Sequence, residues 1–172
     1  ASTAQSDPVL DWNFQALEAI RLDADTPPEA TRGLAMIHSA ILDAVNAIEA
    51  TPGRYVSLPA VEGSSPVAAV AAAAHRVLSY LYPAQQAIFD AALTNSLDDV
   101  PNGAGKTNGV ALGQAVADAI IATRANDGYD AFVEFTNSNI PGVWHPTPPM
   151  FDVPLLSHWG DVQPFVIENT EE

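Results

Sequence analysis

The sequence predicts an all-α protein of about five helices, followed by an extended segment rich in proline and tryptophan. Apolar residues recur at intervals of three and four over long stretches, which is typical of helices with one buried face. Proline follows a Thr or Ser at two predicted helix starts. With 172 residues and 48% apolar residues, the chain is large enough for one domain with a core. We expect a helical region over residues 1–135 and an extended strap over 136–172, which packs on the helices or on a partner chain.

The first two helices are predicted from their starts and their periodicity. An initial helix is expected around "VLDWNFQALEAIRL", residues 9–22. The second begins with Thr26 as N-cap, Pro27 in the first helical position and Glu29 three residues after the cap, the arrangement of a capping box. Its apolar face is formed by Leu34, Ile37, Ile41, Leu42, Val45 and Ile48.

Three further helices are predicted in the next sixty residues or so of the sequence. Ser65 caps an alanine-rich helix that starts at Pro66, and Pro83 ends this helix and opens a fourth. The fifth is expected from about Lys106 to Arg124. It carries a stripe of small residues that lets a neighbouring helix approach closely, formed by Gly109, Gly113 and Ala117.

The character of the sequence changes in the predicted strap. Between Pro141 and Phe165 there are six prolines, two tryptophans and two histidines, without sustained periodicity. Its apolar residues are too many for a free linker, so we expect them to lie against another surface. Irregular segments often line sites, which makes four residues candidates for a substrate entrance or a partner interface: Trp144, His145, His158 and Trp159. Simple packing among prolines and bulky apolar residues is the alternative for both histidines.

The charge balance restricts the partners. Twenty-one acidic residues and six basic ones give a net charge of -15 at pH 7, which disfavours nucleic acid and anionic membranes as partners. No apolar run approaches the roughly 20 residues that span a bilayer, so no membrane insertion is expected. Six basic residues scattered along the sequence also disfavour a self-contained site for phosphate-like anions. The small, polar beginning "ASTAQSDP" favours a secreted or periplasmic protein, although a proteolytic or cloning end would look similar.

The stretch "PNGAGKTNG", residues 101–109, imitates a nucleotide-binding loop. That loop requires a glycine where this chain has Val100, and a preceding strand where this chain predicts a helix. We therefore predict a turn into the fifth helix, with Asn102 near its cap and Lys106 near its solvated start.

Other candidate sites are equally weak. His38 and Asp43 are five residues apart and diverge on the helix, so His38, like His75, is interpreted as a hydrogen-bonded structural histidine. The calcium candidates Asp98, Asp99, Asn102 and Asn108 lack the ligand spacing of an EF-hand. The chain has no cysteine and no nucleophile elbow. No catalytic, cofactor-binding or metal-binding residue is therefore assigned.

Five blocks carry a resemblance to a known family. They are "PPEATRGLAMIHSAILDAVNAIE", "AAAAHRVLSYLYP", "SLDDVPNGAGKTNGVALGQAVADAIIATRANDG", "PGVWHPTPP" and "HWGDVQPF". In order and spacing they resemble the N-terminal helical region of bacterial vanadium-dependent haloperoxidase-like proteins. These belong to the type 2 phosphatidic acid phosphatase superfamily. The resemblance extends from Trp12 to Phe165 and implies part of a haloperoxidase-like helical bundle.

The family's anion pocket lies outside this sequence. It uses a Lys and an Arg in one block, Ser-Gly-His in a second, and an Arg followed by a His in a third. None of these occurs here, and "SHWG", residues 157–160, is not a substitute. The resemblance therefore implies a non-catalytic N-terminal portion of an enzyme that oxidises halide with peroxide or hydrolyses phosphate esters. Vanadate would belong to the complete enzyme, and the partner would be a C-terminal catalytic fragment or chain.

Two expectations concern the assembly. The acidic end "ENTEE" is expected to be held by another chain, as in one piece of a nicked or processed polypeptide. The alternative function is a stand-alone helical interaction module without enzymatic activity, which uses the apolar strap to hold a protein. A second copy of the chain, in a homo-oligomer, is a further candidate partner.

Overall fold

The protein is all-helical in a computed structural model that describes residues 7–51, 55–59, 61–136, 138 and 140–167. This part of the chain contains no β-strand and forms five helices, which confirms the predicted fold class. The helices are α1 (Pro8–Asp23), α2 (Pro27–Glu49), α3 (Pro66–Leu81), α4 (Gln86–Asp98) and α5 (Ala104–Arg124). The terminal "ENTEE" and part of the predicted loop after α2 lie outside the described residues.

The chain divides into two compact units, Ala1–Ala125 and Asn126–Glu172, here called the helical unit and the C-terminal unit. The division falls before the predicted start of the strap at residue 136, because α5 ends at Arg124. In the C-terminal unit, the described residues form one short 3-10 turn, Trp159–Asp161, and otherwise irregular backbone.

The helix starts follow from local chemistry. The Glu29 carboxylate accepts hydrogen bonds from the Thr26 backbone N–H at 3.0 Å and from the Thr26 hydroxyl at 2.6 Å. Ser65 Oγ accepts from the Ala68 N–H at 3.3 Å. These contacts satisfy amide groups that lack partners within the helix and confirm the predicted caps of α2 and α3. Pro83 differs slightly from its prediction, since it begins a 3-10 turn, Pro83–Gln85, that leads into α4.

Helix α3 is the centre of the helical unit and packs against all four other helices. Its residues from Ala68 to Ala74 are buried, as are Val77 and Leu78. Alanine suits this position because it has the highest helix propensity and its small side chain lets neighbouring helices approach closely. The alanine-rich sequence thus places α3 in the core of the unit.

Helices α3 and α5 approach each other closely at two glycine residues of α5. A Cβ atom on Gly109 would lie 2.6 Å from the Ser65 carbonyl oxygen, and one on Gly113 would overlap the Ala69 carbonyl oxygen. The absence of both side chains lets the two backbones touch. Ala117 continues the contact face and is buried. The predicted stripe of small residues is therefore confirmed.

Two buried charged side chains hold distant segments to α2. The Asp43 carboxylate accepts hydrogen bonds from the backbone N–H groups of Tyr55, at 3.0 Å, and Val56, at 2.6 Å. Arg32 donates to the Arg124 carbonyl oxygen at 3.1 Å, which ties the end of α5 to α2. Both groups satisfy backbone atoms, as buried charges must to offset their desolvation.

Candidate functional site

Lys106, the lysine of the nucleotide-loop imitation, binds carbonyl groups of its own chain. Its Nζ donates to the carbonyl oxygens of Leu97, at 2.6 Å, and Val100, at 3.3 Å, and to Asn102 Oδ1, at 3.3 Å. An ammonium group is favourable there because the C-terminal end of a helix carries a partial negative charge. Lys106 is half-buried by these contacts, whereas the sequence predicted a solvated position.

Each of the five described basic residues donates to an oxygen atom of the helical unit. Arg54 lies outside the described residues. Phosphate-like anions are normally held by several Arg or Lys donors that converge on one place. Here the donors are directed to the chain's own oxygens, in the pairs Arg21–Glu18, Arg76–Asp118, Arg32–Arg124 carbonyl, Arg124–Tyr55 hydroxyl and Lys106–Leu97 carbonyl.

The two helical histidines both have polar partners. His38 Nε2 lies 3.0 Å from Asn13 Oδ1, which agrees with the structural role predicted for it. His75 Nε2 lies 2.8 Å from Asp90 Oδ1, and the His75 ring stands edge-on to the Trp12 ring. The hydrogen bond from His75, together with one from Gln86, lowers the pKa of the Asp90 carboxyl.

The acidic side chains do not gather into a metal centre in the described part of the chain. No group of three or more His, Asp or Glu residues there is arranged to hold a metal ion. Asp98 is the last residue of α4, and Asp99 follows as its C-cap. These carboxylates belong to the end of a helix, as the turn interpretation of this stretch assumed.

The four predicted site residues of the C-terminal unit occupy different environments. His158 is buried and its Nε2 lies 2.9 Å from the Tyr129 carbonyl oxygen. Trp159 stands edge-on to the His158 ring, with centroids 6.1 Å apart. Trp144 is 48% exposed and contacts Phe135, with ring centroids 5.2 Å apart. His145 is exposed. The described contacts thus join Trp159 to His158, and Trp144 to Phe135.

An apolar cavity of about 390 Å³ lies within the C-terminal unit. Two segments form its walls, 131–135 and 153–158 without Leu155, and His158 belongs to its lining. Ser157 Oγ donates to the Val133 carbonyl oxygen at 3.0 Å and so joins the two walls. Sequence reasoning selected His158 but missed Phe132, Val133 and Phe135. The apolar run "AFVEF" was the available signal for them.

The C-terminal unit exposes large apolar side chains. Every buried apolar residue of the described structure belongs to the helical unit, the last being Ile121. In the described part of the C-terminal unit, only Asp127 and His158 are buried. Phe132 reaches 89% exposure. The other exposed apolar residues there are Val133, Ile140, Val143, Trp144, Met150, Phe151, Val153, Leu155, Val166 and Ile167.

No helix in the described ranges is both long and apolar enough to cross a membrane. Comparison of the sequence with protein-family models, of the chain with curated proteins, and of its fold with solved structures yields no match.

Proposed function

We propose that this chain is the non-catalytic N-terminal portion of a vanadium-dependent haloperoxidase-like or acid-phosphatase-like enzyme. Its C-terminal unit binds the part of the enzyme that carries the anion site. The resemblance of the five ordered sequence blocks supplies the identity of the enzyme class. The observation that carries the binding role is the apolar surface of the C-terminal unit.

That surface favours a partner for energetic reasons. Each Å² of apolar surface removed from water contributes about 25 cal/mol. A unit that exposes side chains such as Phe132, Phe151 and Val166, and buries its other described apolar residues only in part, gains little from folding alone. Contact with a second polypeptide would bury this surface. Trp144 and His145, which are exposed, are the predicted residues best placed to touch such a partner.

The chemistry is assigned to the partner because this chain's described cations have other tasks. An anion such as vanadate or phosphate needs several convergent Arg, Lys or His donors. Lys106 binds helix carbonyls, and Arg32 binds the end of α5. In the complete enzyme, halide oxidation by peroxide or phosphate-ester hydrolysis would take place on the partner. The helical unit would support it from behind, in a secreted or periplasmic protein.

Purification of the tagged chain from its source cells tests this proposal. We expect mass spectrometry to identify a co-purifying polypeptide that contains Ser-Gly-His and the two flanking basic blocks. The complex, but not the isolated chain, should show vanadate-dependent halide oxidation or phosphatase activity. Phe132→Ser combined with Phe151→Ser should abolish co-purification. Leu22→Ser combined with Leu42→Ser, a matched pair of exposed residues in the helical unit, should leave it intact.

The completeness of the helical core favours a second candidate, the stand-alone interaction module. All five helices contribute buried side chains to a core that lies within residues 12–121. Such a module would hold a protein without the family's catalytic blocks. A co-purifying polypeptide that lacks Ser-Gly-His, with no activity in the complex, would replace the first proposal by this one.

A further inference from the structure

The apolar cavity of the C-terminal unit opens into a surface of exposed apolar side chains. Phe132 and Val153, one from each wall, line the cavity although they are 89% and 74% exposed. Leu155 lies outside the lining, between residues of the second wall, and is 65% exposed. The lining of the cavity and the exposed apolar surface are therefore continuous.

Three carboxylates border the two walls. Asp130 directly precedes the first wall, Glu134 belongs to it, and Asp152 directly precedes the second. All three residues are exposed, and no described residue forms a hydrogen bond or an ion pair with their side chains. Residues 126–172 contain eight Asp or Glu and no Lys or Arg. The border of the cavity is thus negatively charged, and its own unit supplies no Lys or Arg to neutralise it.

The exposed walls favour a polypeptide over a small molecule as the occupant. Small-molecule sites have volumes of about 300–1,000 Å³ and bury most of the ligand surface. This cavity is at the lower end of that range, and a ligand inside it would leave most of Phe132 in water. A polypeptide inserts one apolar side chain into such a pocket and covers the surrounding surface with its other residues. Protein interfaces have this arrangement, with an apolar anchor at the centre and a polar rim.

The negative border determines the charge of the occupant. Carboxylates that face a partner favour cationic groups and repel anionic ones. A second copy of this chain, with net charge -15, and an anionic membrane are both disfavoured for this reason.

We propose that the cavity of the C-terminal unit anchors an aromatic or branched aliphatic side chain of a partner polypeptide. Lys or Arg residues on both sides of that anchor pair with Asp130, Glu134 and Asp152. The inference rests on the proposed function in one respect, namely that the C-terminal unit binds a polypeptide. It adds the place of the anchor and the chemistry of the bound segment.

A short peptide tests the proposal on the intact chain. The probe is a blocked peptide with phenylalanine in the centre, two lysines on each side and a glycine at each end. NMR shifts of the backbone amides of the isotope-labelled chain measure its binding, down to dissociation constants of about 1 mM. We expect the probe to shift the amides of the two walls, 131–135 and 153–158. Peptides with alanine in place of phenylalanine, or glutamate in place of lysine, should bind at least about tenfold more weakly.

An apolar variant tests the anchor. Phe132→Ser should weaken binding of the probe about tenfold. Phe151→Ser is the matched control, because Phe151 is an exposed phenylalanine of the same unit that does not line the cavity, and it should leave the affinity unchanged.

A charge variant keeps every apolar side chain and so tests the proposal independently. Glu134→Gln combined with Asp152→Asn should weaken binding of the probe and reduce its sensitivity to salt, which screens exposed ion pairs. Glu49→Gln combined with Glu62→Gln changes the net charge of the chain equally at exposed positions of the helical unit. This control pair should have little effect. The amide spectrum of each variant shows whether its fold is retained.

Several results would overturn the proposal. They are equal binding of the phenylalanine and alanine peptides, amide shifts confined to residues outside the two walls, and equal effects of the cavity variants and their controls. Equal affinity for free phenethylamine would identify a small-molecule site instead. A co-purifying polypeptide without Ser-Gly-His would refute the proposed enzyme but not the anchor. Failure of the peptide experiment would refute the anchor but not the enzyme.

Discussion

At the scale of single residues, two cations of the helical unit, Lys106 and Arg32, donate hydrogen bonds to backbone carbonyls. Lys106 is the clearest case, because its ammonium group binds the carbonyl oxygens of Leu97 and Val100 at the end of α4. The Leu97 carbonyl also accepts from the Val100 N–H at 3.1 Å, so the ammonium group adds a charged donor to a turn that already closes the helix. The residue that most resembles a phosphate ligand in the sequence is thus part of a helix cap.

Replacement of Lys106 should destabilise the folded protein. We expect Lys106→Met to lower the free energy of unfolding by about 1–2 kcal/mol, because carbonyls that are partly shielded from water lose a charged donor. Urea denaturation at neutral pH measures the loss. Arg21→Met removes an exposed ion pair with Glu18 and should cost less, because solvent screens that pair. Equal losses in the two variants would contradict a capping role for Lys106.

Asp25 should make the stability of the folded protein depend on pH. It accepts a hydrogen bond from the Tyr82 hydroxyl at 2.7 Å. Burial raises the pKa of Asp25 above its ordinary value of 3.8, and the bond from Tyr82 opposes part of that rise. The folded protein therefore holds this proton more tightly than the unfolded chain. The stability that the proton provides is complete below the ordinary pKa and is lost as the pH rises through the raised one.

Asp25→Asn should remove this loss, because asparagine is neutral at every pH and its Oδ1 still accepts from Tyr82. We expect the melting temperature of the variant to equal that of the native chain near pH 3, and to exceed it by a margin that grows as the pH rises through the raised pKa and is constant above it. Tyr82→Phe removes the hydrogen bond that lowers the pKa of Asp25, so its transition should shift to higher pH. The same difference between Asp25→Asn and the native chain at pH 3 and at pH 7 would disprove the linkage.

At the scale of elements, the contact between α3 and α5 depends on missing side chains. We expect Gly113→Ala to destabilise the helical unit by about 1–3 kcal/mol, because the new methyl group overlaps the Ala69 carbonyl and a backbone atom cannot rotate away. The higher helix propensity of alanine, worth about 1 kcal/mol, offsets only part of this. Thermal unfolding measures the change.

Gly160→Ala is the control for this substitution. A Cβ atom there meets nothing within 4 Å, so the free energy of unfolding should change by less than about 0.5 kcal/mol. If Gly113→Ala were equally neutral, α3 and α5 would have to lie farther apart than described.

The helices also show which features of the fold can be predicted from the sequence. The starts of α2 and α3 were predictable because Thr26, Glu29 and Ser65 act on atoms within three residues. The partner of Asp43 lies 12 residues away, and that of Arg32 lies 92 residues away. No local pattern contains such pairs.

The same limit on local sequence patterns applies to the candidate site. Trp144, His145, His158 and Trp159 were selected by residue type in an irregular segment, which finds chemically capable side chains. It does not show which of them meet. The pairing of Trp144 with Phe135, and of His158 with the Tyr129 carbonyl, depends on how the backbone folds back within the C-terminal unit. In α1 two sets of apolar residues share the spacing of four and three, and periodicity alone does not say which set is buried. The structure buries Trp12, Ala16 and Ala19 and exposes Leu10, Phe14 and Leu17.

At the scale of the whole molecule, the apolar core and the exposed apolar surface belong to different units. The described buried apolar residues end at Ile121, before the C-terminal unit begins. The stability of the protein should therefore reside in its helical unit.

Truncation tests this distribution. A chain that ends at Ala125 retains all five helices and should keep its helical circular dichroism at 222 nm and a cooperative thermal transition. A chain that ends at Asp99 lacks α5 and exposes the face of α3 that α5 covers, so it should lose cooperative melting. Loss of cooperativity in the longer truncation would show that the C-terminal unit is required for the core.

The distribution of charge gives the C-terminal unit a distinct behaviour towards proteases. It contains no Lys or Arg, while aromatic side chains such as Phe132, Trp144 and Phe151 stand exposed on it. Trypsin has no cleavage site after Arg124, which is itself buried, whereas chymotrypsin meets accessible aromatic residues throughout the segment. Parallel limited digestion by the two enzymes thus separates cleavage within the helical unit, seen with trypsin, from coverage of the C-terminal unit by a partner, seen as protection from chymotrypsin.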